Sequence, residues 1–578
     1  MQPYAEINAS YGSFNAHKET VKFGTGLLKD HWAFDARLSN IGTDGYIDRA
    51  SVDLYSFYAQ GGYFADNTSV KFITFGGKEK TYHAWNYATK EEMKKYGRRF
   101  NSCGMYTDDD GHIRFYKDQT DNYLQMNYQL LLNHTFSAAW NLNAALHYTK
   151  GDGYYQEYKE DRSLKEYRLH PFMYDGKEVE KSDLIRQKKM DNHFGGGVFS
   201  VNYRNEKLDA SLGGALNYYD GWHFGRVIWV KNYIGELLPD HEYYRNKAKK
   251  TDGNLYLKAN YNLVAGLNAY ADLQYRYINY KIHGDNDKYD YNTDGLQKLA
   301  VNDHFNFFNP KAGLNWDIDS NNRVYASFSV AQKEPTRNNY TDGNADEYPK
   351  AEKLYDYELG YTYRNTWLSA GVNFYYMDYK DQLVLTGELN EIGEAMARNV
   401  PDSYRTGVEL MLGVKPCRWF QWDINGTLSK NRVKNFTEKL YEDEWKNPIE
   451  VEHGNTPIAF SPDFILNNRF SFSHKGFEAA LQSQYVSKQY MSNAKQAEQT
   501  LDAYFVSNLN LAYTFQLRHV KSVTVGFTIY NLFNEKYENN GYAGSGYTLK
   551  DGKPERYNYA GYAAQAGTNV MGNISIRF

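Results

Sequence analysis

Hydrophobic and polar residues alternate along most of this chain, with the two-residue period that is typical of β-strands. In residues 354–364 every second position is a tyrosine or leucine, from Tyr355 to Tyr363, and the positions between them are polar or glycine. The same alternation occurs in residues 404–414 and 569–578. No helical stripe is sustained anywhere, so the pattern predicts an all-β protein.

This alternation, together with turn residues, predicts 22 strands. They are residues 3–12, 18–28, 31–40, 48–62, 68–77, 121–134, 140–150, 190–203, 207–219, 251–262, 266–283, 305–317, 321–333, 353–364, 367–384, 399–414, 419–433, 462–473, 477–488, 502–515, 521–532 and 569–578.

The links between these strands alternate between short and mostly long. The short links include 204–206, 263–265, 318–320, 365–366 and 474–476. The long links include 78–120, 151–189, 220–250, 434–461 and 533–568. Closing an antiparallel sheet removes its edges, and within lipid only a closed barrel of strands pairs every backbone group. The link lengths therefore predict a 22-stranded antiparallel transmembrane β-barrel with long extracellular loops and short periplasmic turns.

Composition supports this class and excludes others. Aromatic residues make up 17% of the 578 residues, which suits the girdles of a barrel at the two membrane interfaces. The mean hydropathy is -0.75 and no run approaches 18 apolar residues, which excludes a membrane-spanning helix. A net charge of -4 gives no sign of a nucleic-acid surface. Candidate girdle residues are Trp316, Tyr355, Tyr361, Tyr363, Tyr376 and Tyr513.

Neither catalysis nor structural zinc is indicated by the sequence. The chain has no G-x-S-x-G elbow, H-E-x-x-H helix or phosphate-binding loop, and its two cysteines are too few for a zinc ribbon. Two acidic, glycine-containing segments offer oxygen ligands of the kind that calcium prefers. The candidate calcium ligands are Asp108, Asp110, Asp285 and Asp287, although solvated acidic loops explain the same residues.

Short segments spread along the whole chain resemble one family in order. They are 11–15, 80–85, 309–313, 334–337, 357–361, 405–410 and 531–537, followed by the terminal Phe578. Together they resemble the barrel domain of TonB-dependent receptors, which import iron chelates, cobalamin and other scarce ligands across the outer membrane of Gram-negative bacteria. The terminal Phe after an alternating strand resembles the signal that the barrel-assembly machinery recognises.

The resemblance implies a function and also has gaps. Residues 1–578 correspond to the barrel alone, because no signal peptide, TonB-contacting box or plug domain precedes the first strand. The implied function is uptake of an iron chelate, with a separate plug and the TonB complex as partners. Two alternatives stay open: a passive diffusion channel, and a surface-binding protein that presents loops on a barrel stem. Without a plug, the lumen is expected to be a wide aqueous pore unless loops fold inward.

The resemblance also suggests which residues contact the ligand. Ferric chelates are commonly anionic, and arginine guanidinium groups suit carboxylate or phosphate oxygens, although nearby acids explain the same charges. The candidate ligand contacts are Tyr82, His83, Trp85, Arg98, Arg99, Arg337, Arg398 and Arg405. Haem importers of the family typically carry a histidine in the loop before a strand like 353–364. No histidine lies between residues 335 and 353 here, so the resemblance favours a ferric siderophore or ferric citrate over haem.

The two cysteines test the topology. Cys103 lies in the long link 78–120 and is expected outside the cell, whereas Cys417 lies in the short link 415–418 and is expected in the periplasm. The hydrocarbon core is about 30 Å thick, and disulfide-bonded Cα atoms lie within about 7 Å. We therefore expect no bond between the two cysteines, and labelling of Cys103 alone by an impermeant maleimide on intact cells.

Overall fold

The computed structural model describes residues 2–235, 237, 241–291, 293–342, 348–390, 393–442 and 446–578. Its barrel strands are β1 (Tyr4–Gly12), β2 (His17–Gly24), β3 (Trp32–Thr43), β4 (Val52–Phe64), β5 (Thr68–Tyr82), β6 (Thr120–Thr135), β7 (Trp140–Ser163), β8 (Lys181–Arg204), β9 (Leu208–Val230), β10 (Glu242–Val264), β11 (Leu267–Asp290), β12 (Gly295–Asp317), β13 (Asn322–Lys333), β14 (Glu352–Arg364), β15 (Leu368–Leu389), β16 (Ala395–Cys417), β17 (Phe420–Glu442), β18 (Phe464–His474), β19 (Phe477–Val486), β20 (Tyr504–Leu517), β21 (Val520–Tyr530) and β22 (Asn569–Arg577).

These strands form one closed antiparallel barrel. Each strand pairs with the next along the chain, and β1 pairs with β22 from Glu6 opposite Arg577 to Gly12 opposite Met571. A further strand, Lys446–Pro457, pairs with the loop-end half of β17, and β18 pairs with its turn-end half. Lys446–Pro457 and β18 therefore occupy a single strand position beside β17. The predicted 22-stranded barrel is therefore confirmed, and each predicted strand overlaps one barrel strand.

The two ends of the barrel differ in their connections. At one end, which we call the turn end, ten connections have only two to seven residues. At the other, the loop end, there are eleven connections, and the longest are 83–119 with 37 residues and 531–568 with 38. One predicted turn was placed wrongly: Cys417 is the last residue of β16 and pairs with Phe420, so the turn is 418–419.

Side chains of the turns explain why the strands reverse where they do. Asn205 accepts hydrogen bonds from the backbone N–H groups two and three residues ahead, at 2.9 and 2.8 Å, and Asn365 does the same. At Gly476, φ is +83° and a Cβ atom would lie 2.3 Å from the carbonyl oxygen of Thr514. That turn therefore requires glycine.

The alternation of the sequence separates the two faces of the barrel wall. On the outer face, Tyr357, Leu359 and Phe374 on neighbouring strands each expose about half of their surface (49%, 51% and 49%). On the lumen face, polar residues such as Asn425 and Asn467 stand opposite each other. Of the predicted girdle residues, Trp316, Tyr361, Tyr376 and Tyr513 are exposed, and Tyr355 and Tyr363 are half-buried.

Strands β7 to β12 continue well beyond the predicted strands at the loop end. The predicted links 151–189 and 220–250 are largely strand, because β7 extends to Ser163 and β9 to Val230. This extension, which we call the loop-end wall, has a buried core. Its members include Leu164, Tyr167, Leu184, Val227 and Tyr243. The links 434–461 and 533–568 likewise contain paired strands rather than irregular loops.

The remaining elements lie at the loop end. They are the helices α1 (Lys90–Tyr96) and α2 (Arg337–Thr341), the 3-10 turns Ser13–Asn15 and Leu164–Tyr167, and the paired segments Met105–Thr107 with Ile113–Phe115, Phe172–Tyr174 with Lys177–Val179, Gln489–Tyr490 with Thr500–Leu501, and Glu538–Lys550 with Lys553–Ala564. A capping box between Thr89 and Glu92 begins α1. Among the described residues, no helix is long and apolar enough to span a membrane.

Candidate binding site at the loop end

One long hairpin, residues 538–564, lies across the mouth of the barrel, and we call it the crossing hairpin. Although it connects β21 to β22, it contacts β15 and β17. The Tyr547 hydroxyl donates to the carbonyl oxygen of Asn447 at 2.5 Å, and Arg556 Nη1 lies 2.6 Å from Glu438 Oε2 on β17. The hairpin therefore leaves its own strands and reaches another part of the wall.

The same hairpin is held from another side by the loop 83–119, which follows β5. Ala88 forms a β-bridge with Tyr562, and the Arg98 guanidinium forms an ion pair with Glu538. Arg98 Nη2 also donates to the carbonyl oxygen of Tyr537 at 3.0 Å. Arg98, chosen from sequence as a ligand contact, thus fastens one loop to another.

A buried apolar cluster joins these loops. Met491 and Leu501 from the loop 487–503 pack with Ala543 and Tyr562 of the crossing hairpin, and Met93 of α1 packs against them. Within the hairpin, glycine on one strand faces tyrosine on the other, so a Cβ at Gly544 would lie 2.1 Å from the Tyr559 hydroxyl. The alternating glycines and tyrosines of 541–562 are the sequence signal that could have predicted this hairpin.

Trp85 shows how far the loops extend over the mouth. Gly393, between β15 and β16, has φ +80°, and a Cβ there would lie 2.4 Å from Cγ of Trp85. Trp85 follows β5, which is ten strand positions from β15 in a barrel of 22. Loops from opposite sides of the barrel therefore meet above the lumen, where the Trp85 side chain lies against the backbone at Gly393, and loops do fold inward.

Two of the other predicted ligand residues hold the base of the loop 83–119. The Tyr82 hydroxyl donates to the carbonyl oxygens of Cys103 at 3.1 Å and Tyr116 at 2.8 Å. His83 is only 3% exposed, and its Nε2 lies 3.3 Å from Asp121 Oδ2. The Tyr82 side chain thus holds its own loop, and the His83 side chain is buried against β6 and β7.

The remaining predicted arginines lie in different surroundings. Arg99 is exposed, and its Nε lies 3.1 Å from Asp48 Oδ1. Arg398 lies near Glu388, whose pKa is raised by burial and only partly lowered by that guanidinium. Arg405 donates to Ser461 Oγ at 2.9 Å. The structure therefore does not gather the predicted arginines into one cluster.

Arg337 is the first residue of α2, and this helix follows a buried ionic group centred on Glu334. The sequence singled out Glu334 only as part of the segment 334–337. Glu334, 7% exposed, pairs with Lys250 of β10 and with Arg276 of β11, whose Nη1 lies 3.1 Å from Glu334 Oε2. This pairing fixes the start of the loop 334–351 against the wall. Arg337 Nη2 donates to Asn246 Oδ1 at 2.8 Å.

The two acidic segments differ in geometry. Ligand atoms of Asp108, Asp110 and His112 lie within 4.8 Å of one another. Asp108 also accepts a hydrogen bond from Arg114 Nε at 2.8 Å, which lowers the pKa of its carboxyl group. The second segment is divided among separate cations. Asp285 pairs with Arg168 and Lys298, and Asp287 pairs with Lys188.

Below the crossing hairpin, the lumen wall forms a polar pocket of about 910 Å³. Its lining comes from the lumen face of β17 to β22 and from the base of the hairpin, and it includes Asn425, Asn467, Gln484, Asn508, Tyr537 and Gln565. Amide groups can donate and accept hydrogen bonds, so this surface suits a hydrated polar solute. The mouth and lumen together form a covered, polar compartment.

Comparison with known proteins agrees with this architecture. The pesticin receptor of Yersinia enterocolitica is 24% identical over 225 residues, which cover 38% of this chain and 30% of that protein. The crystal structure of the ferric yersiniabactin uptake receptor FyuA from Yersinia pestis matches with a TM-score of 0.70 at 14% identity, covering 100% of this chain and 80% of that chain. The crystal structure of the siderophore receptor PiuA from Acinetobacter baumannii matches with a TM-score of 0.71 at 11% identity, covering 100% of this chain and 82% of that chain.

The structural matches, at such low identity, show the fold alone. The family follows from a sequence model described as TonB dependent receptor-like, beta-barrel, which matches residues 62–532 and hence most of the chain. Proteins of this family are receptors and transporters of the outer membrane of Gram-negative bacteria. The chain therefore belongs to the TonB-dependent receptor-like β-barrel family.

Proposed function

We propose that this protein is the barrel of an outer-membrane importer that takes up an iron chelate, most simply a ferric siderophore or ferric citrate. Capture takes place at the loop end, and the lumen is the conduit. Uptake depends on a plug domain and on energy supplied through the TonB complex. Family membership supports the transport role, and the names of the matched receptors for ferric yersiniabactin and other siderophores support the ligand class.

The observation that carries the proposal is the covered mouth. Loops from opposite sides of the barrel meet above the lumen at Trp85 and residue 393, and the crossing hairpin joins two parts of the wall. A compartment closed in this way suits capture of a ligand before passage. A passive channel has no use for such a cover, which favours the importer over the diffusion channel.

The test is uptake by cells that carry the protein with its native partners under iron limitation. A strain lacking the gene is compared with the parent for accumulation of radiolabelled iron as citrate, catecholate and hydroxamate chelates. We expect loss of uptake for one chelate class and recovery on complementation. A matched control measures uptake after collapse of the proton gradient, which abolishes TonB-driven transport.

Two outcomes would contradict the proposal. If the strain lacking the gene takes up every chelate normally but admits small hydrophilic solutes more slowly, the protein is a diffusion channel. If neither uptake nor permeability changes, while ligands of the outer loops still bind to cells that carry the protein, the protein is a surface-binding protein.

A further inference from the structure

The short helix α2 places one arginine against the loop-end part of the wall. Tyr340 of α2 packs on the cluster formed by Ala248, Ile282 and Val301, and its ring centroid lies 5.8 Å from that of Tyr280. The helix is therefore fixed on β10 to β12, and its first residue is Arg337. The guanidinium position is set by packing, which a binding group requires.

One nitrogen of the Arg337 guanidinium lacks a hydrogen-bond partner among the described residues. Its Nη2 donates to Asn246 Oδ1 at 2.8 Å, but Nη1 is buried and has no hydrogen-bond partner among the described residues. Within the described ranges, no carboxylate lies close enough to Arg337 to form an ion pair. A buried guanidinium N–H without an acceptor is costly, so it is expected where a ligand supplies the acceptor and the negative charge.

A second unbound polar atom lies next to it. His223 stands directly opposite Asn246 in the register of β9 and β10, which puts their Cβ atoms about 5 Å apart. The His223 Nε2 atom is buried and also lacks a partner among the described residues. His223 is fifteen residues beyond the turn-end start of β9, more than the roughly ten that a tilted strand needs to cross lipid.

The surroundings keep both groups in place. Asn246 is 1% exposed, and its amide nitrogen donates to the carbonyl oxygen of Asp285 at 2.8 Å, so its oxygen faces Arg337. Gly221 lies between Tyr219 and His223 on the same strand face, and a Cβ there would lie 2.2 Å from the Tyr219 hydroxyl. The glycine therefore makes room for the tyrosine beside the two donors.

Charge and protonation agree with the geometry. Burial, and then the nearby Arg337, lower the pKa of His223 to about 3, so the ring is neutral at physiological pH and has one N–H to donate. The neighbouring carboxylates are already matched by other cations, Glu334 by Arg276 and Lys250, and Asp285 by Arg168 and Lys298. Among the described residues, these carboxylates therefore leave the charge of Arg337 without a counter-ion.

We propose that Arg337 and His223 form an anion subsite that binds one carboxylate or phosphate oxygen group. The guanidinium supplies charge and a hydrogen bond, the imidazole supplies a second hydrogen bond, and Asn246 orients the guanidinium. On the proposed function, on which this identification of the ligand rests, the group belongs to the imported chelate.

The test measures binding of two probes, citrate and inorganic phosphate, to the folded full chain in detergent by calorimetry. We expect Arg337→Gln to weaken binding ten- to one-hundred-fold, because a charge-assisted hydrogen bond is removed. Arg337→Lys keeps the charge and should lose less, and His223→Gln should weaken binding by a smaller factor. Arg114→Gln, at an exposed arginine of the same barrel end, is the matched control and should bind as the parent does.

The shift in gel mobility on heating checks that each variant is folded. The subsite is refuted if folded Arg337→Gln binds both probes as the parent does, or if the parent binds neither at millimolar concentration. Binding of citrate but not phosphate, or the reverse, identifies which anion the subsite prefers. Uptake in cells separates the two proposals, since probe binding that depends on Arg337 without chelate uptake supports the subsite and refutes the importer.

Discussion

The strands on one side of the barrel are much shorter than those on another. β1 and β2 have nine and eight residues and are joined by the four residues 13–16. β7 and β8 have 24 residues each. About ten residues are enough to cross lipid, so β1 and β2 are no longer than a crossing requires, whereas β7 and β8 extend well beyond lipid.

The comparison teaches that the part of a strand beyond lipid needs another source of stability. In the loop-end wall this is a protein-like interior. Arg186 Nη2 lies 2.6 Å from Glu157 Oε1, and both side chains are 3% exposed. Lys159 Nζ lies 3.2 Å from the other oxygen of Glu157. The wall therefore depends on a buried ionic group, which the short strands β1 and β2 do not need for crossing lipid.

The largest expected effect follows from breaking that group. Glu157→Gln removes the carboxylate that pairs with the buried Arg186 guanidinium, which should lower the free energy of unfolding of the wall by about 3–5 kcal/mol. Hydrogen exchange in residues 154–163 should quicken accordingly, while exchange in β1 and β2 should not change. The control is Asp209→Asn, which removes an exposed pair with Arg204 (3.1 Å) at the turn end and should cost less than about 1 kcal/mol. Equal effects of the two variants would show that the wall is not stabilised by its buried pair.

The second effect concerns the buried cysteine of the loop end. Cys103 is 5% exposed, and burial raises the pKa of its thiol from 9.0 to about 11. Since maleimide reacts with the thiolate, Cys103 of the folded protein should react about 100-fold more slowly at pH 8 than the same cysteine in the unfolded chain. Raising the pH toward 11 should accelerate the reaction. Mass spectrometry of the labelled peptides measures both rates.

This changes what labelling of intact cells is expected to show. Cys103 lies at the loop end, as the sequence predicts, but its burial means that little of it should react from outside. Asn101 Oδ1 accepts from the backbone N–H of Cys103 at 3.0 Å, so Asn101→Ala should loosen the loop and speed labelling. Rapid labelling of Cys103 in the folded parent would refute the buried position.

The smallest expected effect concerns the cover of the mouth. Arg98→Glu places two carboxylates together at Glu538 and should increase the time spent in an open, conducting state about tenfold. Single-channel recording in planar bilayers measures this. The double variant Arg98→Glu with Glu538→Arg should restore the closed state, and Arg99→Glu should leave it unchanged. If the double variant conducts like the single variant, the ion pair between Arg98 and Glu538 does not hold the mouth closed.

The sequence predicted the strands well at the turn end and poorly at the loop end, for one physical reason. Within lipid the two faces of a strand meet hydrocarbon and water, so residues alternate clearly, as in 354–364. Beyond lipid both faces meet water or other loops. Residues 150–160 of β7 accordingly show glycines, paired tyrosines and charges without alternation, and the strand was predicted to stop at 150.

The candidate site was predictable only in part. Residue type alone pointed to Arg337 and to Trp85, because arginine and aromatic groups in loops are common ligand contacts. It also pointed to Tyr82, which serves its own loop. Neither His223 nor the crossing hairpin was predicted, since their positions depend on packing between loops that lie far apart in sequence.

The pairing of β1 with β22 has a consequence for how the chain is connected. Ala5 O accepts a hydrogen bond from the backbone N–H of Phe578, so the first and last strands end side by side at the turn end. A short linker between them is expected to be compatible with circular permutation, with new ends in the turn 205–207 and all 22 strand pairings kept. Such a permutant would move Phe578 into a turn, and would show whether the pairing of strands alone is enough for the barrel to form.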